Sequence, residues 1–119
     1  MQYVNLLGAH GNQADFDSFA REFFLVIGVS EYGERESSNF VDGRYFKGTN
    51  NNLDFTISRS DEEEHADLPY WVQIAADMLT AEALVEVVDS IIRNKTVPAG
   101  FHFARMVNFG RRDEQRIDY

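Results

Sequence analysis

The chain contains no cysteine. Disulfides and thiolate chemistry are therefore excluded, and the expected compartment leans towards the cytoplasm. No apolar run approaches the roughly 20 residues that a membrane-spanning helix needs. The stretch Met1 to Phe16 carries neither the basic leader nor the apolar block of a secretory signal. Bases are scarce, at 11 Lys and Arg against 20 Asp and Glu, a net charge of −9. Nucleic acid and membrane are accordingly not expected partners, because a phosphate surface is held by clustered Lys and Arg. No HExxH, GxSxG, Walker loop or dinucleotide fingerprint occurs. The three histidines, His10, His65 and His102, lie in three separate segments. No catalytic residue, cofactor or metal is assigned.

With 119 residues, 44% apolar and 13% aromatic, the chain suits one globular domain. A domain of this size buries about two-thirds of its unfolded surface and needs no disulfide or structural metal. The charge is unevenly spread. Residues 31–67 hold ten acids and four bases, so −6 of the −9 falls in that third. Its densest part is Asp61-Glu62-Glu63-Glu64-His65-Ala66-Asp67. Asp61, Glu63, His65 and Asp67 alternate as oxygen and nitrogen donors, but a calcium loop counted from Asp61 requires glycine sixth and glutamate twelfth. Ala66 and Val72 stand there. The calcium reading fails.

The acidic turn sits between two strand patterns. Leu53, Phe55 and Ile57 alternate with polar residues, and Pro69 to Ile74 places Val72 and Ile74 opposite Trp71 and Gln73. Upstream, Met1 to Leu7 reads as a first strand and Gly8 to Asn12 as a flexible turn with His10 solvated. Phe16, Phe19, Ala20, Phe23, Phe24 and Ile27 form one apolar face, predicting a helix over residues 15–27 with Asp15 as cap and Gly28 as stop. Glu34 to Asn39 shows no apolar alternation, so a single strand over residues 43–48 is preferred to a hairpin about Asp42-Gly43. A second helix follows Thr80 or Asp77, with Leu84, Val87, Val88, Ile91 and Ile92 as its stripe. Asp89 and Arg93 are spaced for an ion pair, and Pro98 ends it. Phe101, Phe103, Val107 and Phe109 read as an interior strand.

The expected fold is an α+β two-layer sandwich of ferredoxin-like character, with a mostly antiparallel sheet of about five strands and two helices on one face (β-α-β-β-β-α-β). Residues 1–110 make the domain. Residues 111–119 are a charged tail, mobile unless a partner or the acidic turn holds it. The outer sheet face would present Trp71, Tyr45 or Phe103.

The order Glu34 to Phe40 (ERESSNF), Gly43 to Phe46 (GRYF), the acidic run Asp61 to Asp67 and then Pro69-Tyr70-Trp71 resembles a pattern in small acidic bacterial immunity proteins of contact-dependent growth inhibition and polymorphic toxin systems. It spans about a fifth of the chain. The resemblance implies a protein that binds a cognate toxin domain, often a basic nuclease, and occludes its active site or substrate groove. Charge and shape alone place Glu62, Glu63, Glu64 and Asp67 at the rim of the contact and Tyr70 or Trp71 as its anchor. Two other classes stay open: a small enzyme using acidic residues and a histidine, and a regulatory module that self-associates through a sheet face or edge.

Overall fold

A computed structural model describes residues 1–11 and 15–119. It shows an antiparallel sheet with two helices. The strands are β1 (Gln2–His10), β2 (Tyr32–Glu36), β3 (Arg44–Asn50), β4 (Leu53–Arg59), β5 (Tyr70–Ala76), β6 (Phe101–Val107) and β7 (Gln115–Asp118). The helices are α1 (Phe16–Ile27), between β1 and β2, and α2 (Ala81–Ile91), between β5 and β6. The sheet order is β2-β3-β4-β5-β1-β6-β7. The sheet thus has seven strands where about five were expected, and the two additions lie at its edges.

The edges escaped the sequence reading because they bury little. All five residues of β2 are exposed, so Tyr32-Gly33-Glu34-Arg35-Glu36 has no apolar face to show. Backbone pairing to β3 holds it, with Tyr32 stacked on Phe24 at 4.4 Å. Arg44 bridges Glu34 and Asp17 of α1. The Asp42-Gly43 turn does form, with both residues at positive φ (59° and 69°), inside the β2–β3 connection. The charged tail carries β7 and is held to β6. β1 also runs further than expected: Gly8, Ala9 and His10 pair with β6 rather than forming a flexible turn. Asn12, the last residue of that expected turn, lies outside the described residues.

Both helices start and stop on local chemistry. Asp15 Oδ1 accepts from the Ser18 amide at 2.8 Å, and Gly28 closes α1 in the left-handed region. Thr80 Oγ1 accepts from the Ala83 amide, capping α2. After Ile91 the turns widen into a π-turn, in which Thr96 Oγ1 donates to the Ile92 carbonyl, and Pro98 follows in a short 3₁₀ turn. Asp89 accepts from Tyr119 Oη, and Arg93 lies over the Tyr119 ring at 5.5 Å, so the expected pair between those two side chains is replaced by a shared contact with Tyr119.

One apolar cluster joins α1 and α2 to a single face of the sheet, which we call inner. It takes Val4 and Leu6 of β1, Leu53, Phe55 and Ile57 of β4, Tyr70, Val72 and Ile74 of β5, and Phe101 and Phe103 of β6. Phe19 and Phe23 are wholly buried against them, and each such side chain contributes about 2 kcal/mol of burial. Phe103 therefore belongs to the core and not to the outer face. No helix among the described residues is long and apolar enough to cross a membrane.

Candidate partner-binding surface

Period 2 puts the other half of each strand on the outer face. Trp71 lies across from Leu7 on one side and Ser58 on the other, and Gln73 lies across from Asn5 and Thr56. Asn5 Oδ1 accepts from both Trp71 Nε1 (3.1 Å) and Gln73 Nε2 (3.2 Å), which fixes the half-buried indole. Towards β3, Phe40 stacks on Tyr45 at 4.2 Å and stands 6.1 Å from the Trp71 ring. Three partly exposed aromatics thus adjoin one another. Phe40 ends the ERESSNF stretch but is not among the expected contact residues; its signal is the Asp42-Gly43 turn, which folds that stretch back over β3.

On the other side of Trp71 the acidic loop returns over the sheet. Leu68 is buried in a small outer cluster with Leu7, Ala104 and Met106, against which Trp71 and Phe109 pack. That single apolar side chain seats the loop. Three polar contacts then lock it to β7 and the turn before it. Arg116 forks onto both carboxylate oxygens of Asp67, at 3.0 and 2.8 Å. It also reaches Asp118, which meets His102 at 3.0 Å. His65 Nε2 meets Glu114 Oε2 at 3.1 Å, and the Gly110 amide donates to Glu114 Oε1.

These contacts set the carboxylates' acidity. Arg116 holds Asp67 and Asp118 below the usual aspartate range. The Gly110 amide, then His65, does the same for Glu114. Burial, then Asp89, pushes the Tyr119 hydroxyl up.

The expected site residues divide accordingly. Glu62, Glu63 and Glu64 are exposed, with no ion pair among the described residues. Together with Asp61 they line a cleft of about 440 Å³ bounded by Gly110, Arg111 and Glu114. Asp67 is exposed but tied to Arg116. Trp71 is on the outer face beside the loop. Tyr70 is not available as an anchor: it is only 5% exposed and packs between Phe16 and Phe19 of α1. Neighbours on a strand face opposite ways, so of the Tyr-Trp pair only one side chain reaches the outer face.

The donor set first considered for a metal does not converge. Glu64, His65 and Glu114 do bring ligand atoms within 4.8 Å of one another. Two of the three are already engaged, since Glu114 bonds His65 and Gly110, and the Arg116 guanidinium stands 3.5 Å from His65 Nδ1; Glu64 is exposed beside them. His65 and Glu114 thus serve the lock between the acidic loop and the turn before β7. The histidines also stand apart: His10 is half-buried against Phe101 with Nε2 2.9 Å from the Ala99 carbonyl, rather than in a solvated turn. Compared with known proteins, the chain matches no family model, no curated protein and no solved structure.

Proposed function

We propose that this chain is a binding protein of the immunity type, which neutralises a cognate bacterial toxin domain, a basic nuclease, by covering its active site or substrate groove. The observation that carries this reading is the juxtaposition on one surface of exposed acids, Asp61 to Glu64, with the Phe40, Tyr45 and Trp71 aromatics. The resemblance of the ERESSNF, GRYF and PYW stretches supports it from the sequence side. Solvated acids steer a cationic partner and raise the encounter rate. Aromatic side chains that lose water on contact supply most of the affinity. The loop is preorganised, because Leu68 and Arg116 fix it before any partner arrives, and less ordering entropy is lost on binding.

The test uses the basic toxin domain that this reading predicts to be encoded upstream of this chain. Co-production should restore growth to cells making that toxin. In stopped-flow association, Glu62→Gln, Glu63→Gln and Glu64→Gln combined should lower the on-rate at low salt by about tenfold and flatten its dependence on ionic strength. Trp71→Ala should act on the off-rate instead, weakening binding by about 2 kcal/mol. An on-rate unchanged in the triple variant removes the electrostatic part, and a toxin left fully active by the chain removes the function.

A further inference from the structure

The two neighbours of β1 do not cover it equally. β5 pairs with it from Gln2 to Gly8, whereas β6 pairs only from Asn5 to His10. The chain leaves β6 through Asn108 (φ 54°) and Gly110 (φ 80°), both left-handed, and turns away towards β7. Gln2, Tyr3 and Val4 are thereby left without a registered strand partner on that side. A concave space of about 660 Å³ opens there.

The lining of this notch is unlike that of the acid-lined clefts. Its charged residues are Arg105 and Arg111, and no acid lines it. Its apolar walls are Val4, Val85, Met106 and Phe109, with Tyr3 at the mouth. On a chain of net charge −9 this is an inversion. The cleft by the acidic loop is lined by five carboxylates, and the one beside the β3–β4 turn by Asp54 and Asp77. Neither Arg105 nor Arg111 makes an ion pair among the described residues, although Arg105 also reaches the Tyr119 hydroxyl and Arg111 stands between the notch and the acidic cleft. The nearby acids are engaged or turned out. Asp89 takes the Tyr119 hydroxyl, Asp113 takes Asn108 Nδ2 at 2.9 Å, and Glu82 is exposed on the first turn of α2.

We propose that the notch binds a small organic anion, one carboxylate or phosphate group carried on an apolar body. The guanidinium forks of Arg105 and Arg111 match either anion with paired N–H donors. The walls from β1, α2 and β6 take the apolar part, and the volume lies within the range of small-molecule sites. This proposal does not rest on the toxin-binding reading, although the two surfaces adjoin: Arg111 also borders the acidic cleft, and Met106 and Phe109 belong to the cluster beside Trp71.

The experiment titrates phenyl phosphate and phenylacetate into the ¹⁵N-labelled full chain, with benzyl alcohol as the neutral analogue and inorganic phosphate as the anion without a body. Saturable amide shifts are expected at Gln2 to Asn5 and Arg105 to Arg111, with the tighter of the two phenyl probes identifying the anion. Arg111→Ala, on an exposed side chain, and Arg105→Lys, which keeps the charge but loses the fork, should each weaken binding about tenfold while the remaining spectrum stays native. Equal binding of benzyl alcohol, shifts scattered over the surface, or undiminished affinity in both variants would overturn the assignment.

Discussion

At the scale of single residues, the core is set by a contact that only glycine permits. A Cβ on Gly8 would stand 2.3 Å from Phe103 Cε1, and Phe103 is itself wholly buried beside Phe19 and Phe23. The ring cannot move aside without displacing its neighbours. Gly8→Ala is expected to destabilise the protein by about 1–3 kcal/mol, read as a lower urea midpoint with an unchanged slope. Gly33 on the edge strand makes the comparison, since nothing lies within 4 Å of a Cβ there and its φ is ordinary. Gly33→Ala should leave the midpoint within about 0.5 kcal/mol of the native value. The same scale explains the loss of Tyr70 as an anchor. The alternation that assigned β5 its buried side was visible in Val72 and Ile74, and extending it two places back puts Tyr70 with them.

At the scale of elements, β7 is held mainly by charge. Its residues are exposed or half-buried, and what fixes it beyond backbone pairing is Arg116 with Asp67 and Asp118, and Glu114 with His65 and Gly110. All three carboxylates have pKa values below their usual 3.8 (Asp) or 4.5 (Glu) in the folded chain. Groups depressed in this way contribute stability that is full above the unfolded pKa and is lost as pH falls through the folded one. β7 and the acidic loop should therefore stay docked above about pH 5 and loosen together below about pH 4. Backbone ¹⁵N relaxation of residues 62–67 and 115–118 between pH 6 and pH 3 checks this. Loosening of one segment without the other would show that the lock does not couple them.

What could be read from the sequence follows the same division between apolar and charged elements. α1, α2 and the strands β4 and β5 announce themselves, because each buries one face and its period is written in Phe, Ile, Leu and Val. β3 is legible from the turns that bound it, since Phe46 is its one buried large side chain. β2 and β7 do not, since an edge strand with both faces wet carries no period. The acidic loop was legible as charge and as a neighbour of Trp71. Its fixed position was not, because that depends on Leu68 and on Arg116, which is 49 residues away from Asp67 in the chain. Nor was the anion notch, which exists only because β6 turns out of the sheet before β1 ends.

At the scale of the whole molecule, an open sheet has two edges, and each must be prevented from recruiting another chain. One is β2, where Arg35 and Glu36 are exposed. The other is β7, where Arg116 and Asp118 hold each other. Replacing Arg35 and Glu36 together by Val should remove the first safeguard, producing a steeper concentration-dependent rise in sedimentation coefficient than the native chain shows. A variant that sediments as the native chain does would show that the edge is guarded by twist or by the Arg44 bridge and not by these charges.

The place of β1 has a further consequence, in time instead of space. It is an interior strand, between β5 and β6, yet Gly8 waits for Tyr70 and Asn5 for Met106. At roughly 5–20 residues per second of synthesis, β1 precedes its first neighbour by about 3–12 s. Through that interval the run Val4 to Leu7 has α1 as its nearest companion in the chain, and the Phe19 and Phe23 rings are what can shelter it. A nascent chain halted before β5 should therefore present α1 and β1 as a sticky pair. It would be the species that a chaperone meets, and where aggregation begins if none does.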